Sequence, residues 1–194
     1  MIKINLSQIQ QLSDDAQLSP RRRKNYNFHK EDAALLQRML NAMEPDTYIQ
    51  PHKHENPDKV EAFFVLRGTI LLVEFTDDGK ISDYCVLNPV KGNFGGEVAP
   101  RTWHTLICLE KGSVAYEVKD GPYDPTIDKQ FAPWAPAEGE MGGDLFNQSI
   151  VTNKKERPIR AALSILFISR VYFTIVSSSI MFLAPPSFSM INNT

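Results

Sequence analysis

Short apolar runs rich in β-branched and aromatic residues recur along the middle of the chain. The runs cover residues 60–66, 69–75, 81–87, 94–98, 104–109 and 113–119. Glycine, asparagine, aspartate and proline stand between most of them, and these residues favour turns. Because no long helical pattern intervenes, the series predicts an all-β sandwich or barrel.

The start of the chain carries a different pattern, in which apolar side chains recur at near-helical spacing. These side chains are Leu6, Ile9, Leu12 and Ala16. Ser7 and Gln10 have the spacing of a capping box. Pro20 disfavours helical conformation in the residue before it. The pattern therefore predicts a short amphipathic helix over residues 7–18.

Two other stretches are less regular. Leu36, Leu40 and Met43 share a helical face, but residues 37–43 also alternate as a strand would, so periodicity leaves both open. Residues 120–140 contain four prolines, which exclude a helix or a central strand. We expect this segment to be an extended strap with a structural role, anchored on the barrel by its aromatic side chains.

Four residues within the β pattern have side chains that bind transition metals. His52 and His54 are separated by one residue, so on a strand both imidazoles point to the same side. Glu61 lies at the start of a later strand-like run, and His104 begins another. Three imidazoles and one carboxylate suit a divalent transition metal such as Zn, Fe, Mn or Ni. The set predicts one such ion as the cofactor.

The order of these residues resembles the two motifs of the cupin superfamily. It reads His-x-His, a Glu, six further residues and a Gly, then a distant Pro-x-x-x-His. More closely, residues 4–140 resemble the WbuC family of cupin-fold metalloproteins, which occur among O-antigen and other surface-polysaccharide genes. Residues 23–29, 102–105 and 121–125 carry this closer resemblance. It implies a double-stranded β-helix, the cupin jelly-roll barrel, with a short N-terminal helix, and it favours the strand at 37–43.

The resemblance also implies a function. The protein would act on or bind a small sugar-like or nucleotide-sugar metabolite in surface-polysaccharide biosynthesis. A metal-dependent isomerase, epimerase or dioxygenase and a non-catalytic metal- and saccharide-binding or regulatory module all stay open, because the fold hosts each of them. Homodimerisation is implied by the resemblance alone.

Strand parity adds further candidates for the interior, since Phe63 and Val65 share the predicted face of Glu61, and Leu106 and Cys108 share that of His104. Tyr48 and Gln50 share the predicted face of His52, and Tyr48 or Glu61 would be placed to move a proton. Residues 21–24 are four consecutive positive charges, which suit either a solvated linker or a cation cluster at the mouth of a pocket. The candidate ligand-binding residues are Arg38, Arg67, Arg101 and His29.

Composition narrows the compartment and the partners. The formal net charge of -2 gives no general attraction to nucleic acid or to an anionic membrane, so a small molecule is the expected partner. Cys85 and Cys108 lie within apolar runs, which predicts buried free thiols in a reducing compartment. The first ten residues lack the charged start and apolar run of a secretory signal, so we expect a cytoplasmic protein.

The sequence divides into three parts. Residues 1–36 hold the helix and a basic, aromatic linker, residues 37–140 hold the barrel with its strap, and residues 141–194 form an atypical hydrophobic tail that we expect to be poorly ordered. Within the tail, Arg170 interrupts the apolar and serine-rich stretch 161–184. An arginine is costly inside a bilayer, so we do not expect a membrane-spanning helix there.

Overall fold

The computed structural model describes residues 1–152, which form two five-stranded antiparallel sheets and two helices. The elements are α1 (Leu6–Leu18), β1 (Arg23–Asn27), β2 (Leu36–Met43), β3 (His52–Lys53), β4 (Glu61–Arg67), β5 (Ile70–Phe75), β6 (Ile81–Leu87), β7 (Gly95–Val98), β8 (Trp103–Cys108), β9 (Ser113–Asp120), β10 (Gln130–Phe131) and α2 (Gly143–Thr152). A short 3-10 turn at Pro89–Lys91 precedes β7.

The chain passes repeatedly between the two sheets. The strand order is β1-β2-β9-β4-β7 in one sheet and β10-β3-β8-β5-β6 in the other, and all neighbouring pairs are antiparallel. Strands distant in sequence, such as β2 and β9, therefore lie side by side. This is the double-stranded β-helix with a short N-terminal helix, so the predicted fold class is confirmed.

Strand alternation separates the interior from the surface. In β4, Glu61, Phe63 and Val65 are buried, whereas Phe64 and Leu66 are exposed. The main apolar cluster consists of Met43, Phe63, Val65, Ile70, Leu72, Leu87, Val98, Leu106, Cys108 and Ala115. Burying a large apolar side chain contributes about 1.5–3 kcal/mol. The same parity that fills this core turns Glu61 inward.

Helix α1 packs on the sheet that contains β2 and β9. A second apolar cluster joins them, formed by Ile9, Leu12, Ala16, Leu40, Ala42 and Val114. The predicted helix is thus present, but its N-cap is Asn5 rather than Ser7. The Asn5 side chain accepts a hydrogen bond of 3.0 Å from the backbone N–H of Gln8, which satisfies one free donor of the first turn.

The structure resolves the ambiguous segment in favour of a strand. All eight residues of β2, Leu36–Met43, pair with β9. By contrast, residues 44–51 form a turn and irregular chain rather than a strand. The strap at 120–140 contributes only the two-residue strand β10, and the ring of Trp134 anchors it 5.1 Å from that of Phe75.

Two predictions need correction. Helix α2 lies within the segment 141–194 and packs on the barrel, since a Cβ on Gly143 would lie 2.6 Å from the Tyr48 ring and Ile150 is buried. The fold therefore extends past residue 141, and the rest of that segment lies outside the described residues.

Cys108 is buried as predicted, but Cys85 is exposed, and both are free thiols. Within residues 1–152, no helix is long and apolar enough to cross a membrane.

Candidate metal centre

Four potential metal ligands meet inside the barrel. They are His52, His54, Glu61 and His104, and one donor atom from each lies within 4.8 Å of all the others. Strand pairing explains the convergence, because His52 on β3 is the direct register partner of His104 on β8. All four side chains are buried, with residue exposures of 4% or less. The structure thus brings together every residue that the sequence predicted as a metal ligand.

The three imidazoles are held in one tautomer by the backbone. Each Nδ1 lies against a carbonyl oxygen, at 2.9 Å for His52 and for His104. The acceptors are the carbonyls of Gln50 for His52, Asp128 for His54 and Thr102 for His104. A carbonyl can only accept a hydrogen bond, so each Nδ1 carries the proton. The Nε2 atoms are left with their lone pairs, which is the form that binds a metal.

The Nε2 atoms of His54 and His104 face a carboxylate rather than a hydrogen-bond donor. The Oε2 of Glu61 lies 2.9 Å from Nε2 of His104 and 3.4 Å from Nε2 of His54. The latter nitrogen is buried and has no hydrogen-bond partner. Lone pairs converging in a buried site need a proton or a cation among them. A divalent transition metal satisfies all four donors, so these residues fit such an ion.

The protonation states of His52 and Glu61 are those that metal ligands need. Burial lowers the pKa of His52 well below its usual value, and the positive charge of Lys129 lowers it further, so the ring is neutral near pH 7. Burial raises the pKa of Glu61, but the adjoining His104 and His54 side chains outweigh this effect and hold it well below its usual range. Glu61 is therefore an ionised carboxylate beside neutral imidazole.

A second layer of charged groups surrounds the four ligands. Lys119 lies 3.9 Å from Oε1 of Glu61 and 2.8 Å from Oδ2 of Asp128. Lys59 lies 2.5 Å from the other oxygen of Asp128. Burial raises the pKa of Glu117 to about 8, and the negative charge of Glu61 adds to this rise. Glu117 is therefore mostly protonated near neutral pH.

Three of the four ligands, His52, Glu61 and His104, line a cavity of about 620 Å³. Apolar side chains such as Phe63 and Leu106 line part of it, as the parity argument predicted. Five side-chain amides line it as well, from Asn25, Asn27, Gln37, Asn41 and Gln50. Amides both donate and accept hydrogen bonds, so this wall matches a ligand with several hydroxyl groups.

Tyr48 does not line the cavity, and its predicted proton-transfer role is not supported by its position. Its hydroxyl donates a 2.7 Å hydrogen bond to the carbonyl of Pro136, and its ring packs against that of Phe146. Burial raises the pKa of Tyr48 to about 12, with a further rise from the charge of Glu138. Strand parity failed here because residues 44–51 are not a strand.

The three predicted arginines also lie outside the cavity wall. Arg67 donates to the carbonyl of Gly112 and to the side chain of Gln10, and Arg101 forms an exposed ion pair with Asp58. Arg38 belongs to β2, but it is absent from the cavity lining. His29 does line the cavity, with its Nδ1 3.1 Å from the backbone of Arg38.

Sequence reasoning missed several charged residues of the cavity wall. Glu117 and Lys119 are separated by one residue on β9, so the two-residue period offered a signal for placing both on one face. Lys129 comes from the strap, which we expected to be purely structural. The strap also supplies Asp128, whose carbonyl oxygen contacts His54. The predicted structural role of the strap is therefore incomplete.

Comparisons with known proteins give limited similarity. A family model described as a domain of unknown function, DUF6016, matches residues 4–87. No curated protein matches the sequence.

Among solved structures, CapF in complex with the inhibitor 3-isopropenyl-tropolone shares 19% identity at a TM-score of 0.49, over 58% of this chain and 32% of the CapF chain. L-ribose isomerase from Cellulomonas parahominis shares 16% identity at a TM-score of 0.47, over 60% and 72% of the two chains. KdgF from Halomonas sp. shares 16% identity at a TM-score of 0.42, over 56% and 86%. The chain thus spans about a third of CapF, and similarity at this level says nothing about function.

Proposed function

We propose that this protein is a cupin-fold metalloprotein that binds one divalent transition metal, Zn, Fe, Mn or Ni, and acts on a small sugar-like metabolite. The observation that carries the proposal is the convergence of three imidazoles and the Glu61 carboxylate, with one donor atom from each within 4.8 Å of the others. The amide-rich cavity wall supports a polyhydroxylated ligand. The resemblance of residues 4–140 to the WbuC family supports a place in surface-polysaccharide biosynthesis.

The surrounding residues have definable tasks in such a site. His52, His54, His104 and Glu61 would hold the ion, which when bound supplies Lewis-acid polarisation of a ligand oxygen, or redox chemistry if it is iron. Asn41 donates a hydrogen bond to Glu117 and orients its carboxyl group. The remaining amides of the cavity wall would bind and orient ligand hydroxyls.

The second candidate is a non-catalytic module that holds a metal and a saccharide-like ligand without turnover. Glu61 favours it, because three imidazoles and one carboxylate can complete a tetrahedral site, and closed four-ligand sites are typical of structural metals. An enzyme, by contrast, needs a coordination position that the ligand can reach.

Cobalt substitution separates these candidates. We expect Co²⁺ added to metal-free protein to give visible absorption bands, and azide to shift these bands, because the site opens onto the cavity. The variant His104→Ala is the control and should give weaker or no bands. Bands that azide does not shift would favour the non-catalytic module with four protein ligands. Absence of bands in the wild-type protein would contradict metal binding and so both candidates.

A further inference from the structure

We infer that the ligand is an acid, a carboxylate or phosphate ester of a sugar-like molecule, and that Lys129 binds its anionic group in the cavity. This inference rests on the proposed function, because it names the class of ligand for the same site. Three observations carry it, concerning the partners of Lys129, the charges of the cavity wall and the size of the cavity.

Lys129 lacks the close ion pair that the neighbouring lysines have. Lys59 and Lys119 both form ion pairs with Asp128, at 2.5 and 2.8 Å. No carboxylate of residues 1–152 lies within 4.0 Å of the Lys129 ammonium. Lys129 nevertheless lines the cavity, and its positive charge acts on His52 and Glu61. A ligand in the cavity can therefore contact the Lys129 side chain.

The cavity wall carries more positively charged side chains than negatively charged ones. Its cationic side chains are Arg21, Arg23, Lys24, Lys119 and Lys129, and its acidic ones are Asp32, Glu61, Glu117 and Glu138. Glu138 already pairs with both Arg21 and Arg23. Glu61 belongs to the metal ligands, so its charge is not available to the cations of the wall. A positive cavity attracts and retains an anion.

The arrangement suits a ligand that carries both hydroxyl or carbonyl oxygens and an acid group. Hydroxyl or carbonyl oxygens would lie toward the histidines and the amide of Gln50, and the acid group would lie toward Lys129. The cavity of about 620 Å³ has room for a monosaccharide with an added carboxylate or phosphate. A neutral sugar would leave the Lys129 ammonium without an ion-pair partner, which is why the two classes should differ in affinity.

Calorimetric titration tests the inference with four probes, D-glucose, D-glucuronate, glucose 1-phosphate and inorganic phosphate. We expect metal-loaded protein to bind one of the two sugar acids at least tenfold more tightly than D-glucose. A preference for D-glucuronate would identify the acid group of the ligand as a carboxylate, and a preference for glucose 1-phosphate would identify it as a phosphate ester. The variant Lys129→Gln should lose this preference. Lys111→Gln, an exposed lysine outside the cavity wall, is the matched control and should keep it.

Several results would overturn the inference. They are equal affinity for D-glucose and both acids, binding of neither acid, full retention of the preference in Lys129→Gln, or inorganic phosphate binding as tightly as glucose 1-phosphate. Metal content is measured in the same samples and is not expected to change in Lys129→Gln. Wild-type protein without metal would contradict the proposed function. Metal-loaded protein without an acid preference would contradict only the present inference.

Discussion

Asp128 is the residue on which the buried charges around the centre depend. Its carboxylate holds Lys59 and Lys119, and the side chains of all three are at most 5% exposed. Its backbone carbonyl contacts Nδ1 of His54. One residue of the strap therefore forms ion pairs with two buried ammonium groups and orients a metal ligand. Buried charges are tolerated only when they are paired in this way.

Replacing Asp128 should therefore be costly. We expect Asp128→Ala to lower the free energy of unfolding at pH 7 by about 3 kcal/mol, because it leaves two buried lysines without their carboxylate. Urea unfolding measures the change. Asp78→Ala is the control, since it removes an ion pair with Lys80 that is exposed, and its effect should be much smaller. Equal effects of the two substitutions would contradict a stabilising role for the buried ion pairs of Asp128 with Lys59 and Lys119.

The effect of Asp128→Ala should depend on pH. Burial raises the pKa of Asp128, but the charges and hydrogen bonds of Lys119 and Lys59 outweigh burial and lower it below the ordinary 3.8. A depressed carboxyl pKa stabilises the fold above the ordinary value, and this stabilisation is lost as the pH falls through the folded-state pKa. The difference between wild type and variant should thus be constant from pH 5 to 7 and shrink below about pH 4.

At the residue scale, the sequence was informative where regular structure applies. The two-residue period placed His104 with Leu106 and Glu61 with Phe63, because these pairs lie on true strands. It failed for Tyr48, which lies outside any strand. Lys129 lies in a strap without periodicity, so only the three-dimensional structure could place it in the cavity wall.

At the scale of elements, helix α1 is the clearest addition to the barrel. Its buried face packs on β2 and β9, whereas Leu18 at its end is 86% exposed. We expect Leu12→Ala to lower the free energy of unfolding by about 2–3 kcal/mol through lost burial and a residual cavity. Leu18→Ala makes the same chemical change at an exposed position and should stay within about 0.5 kcal/mol. Urea unfolding of both variants checks this, and matching losses would refute the packing of α1.

Element type followed from sequence better than element ends did. The segment 37–43 was ambiguous because alternation and helical spacing coincide there, and pairing with β9 decides the outcome through long-range contacts. Asn5 replaced Ser7 as the N-cap, because the helix begins one residue earlier than the apolar pattern suggested. Helix α2 was not predicted, since its burial depends on the barrel surface around Tyr48.

At the scale of the whole molecule, the described residues combine two sheets with a cavity of about 620 Å³. The metal ligands lie on β3, β4 and β8 or directly after β3, while the strap and the N-terminal segment supply most of the charges at the cavity. Homodimerisation and cytoplasmic location stay predictions.

The most direct test of the account is the metal content of purified protein by elemental mass spectrometry. The wild-type protein, His52→Ala and His104→Ala should be prepared with and without oxygen, with Lys111→Gln as a surface control. We expect close to one transition-metal ion per chain in the wild type and the control, and loss of most of it in both histidine variants. Wild-type protein that stays metal-free after reconstitution, or histidine variants that keep a full ion, would contradict the metal centre.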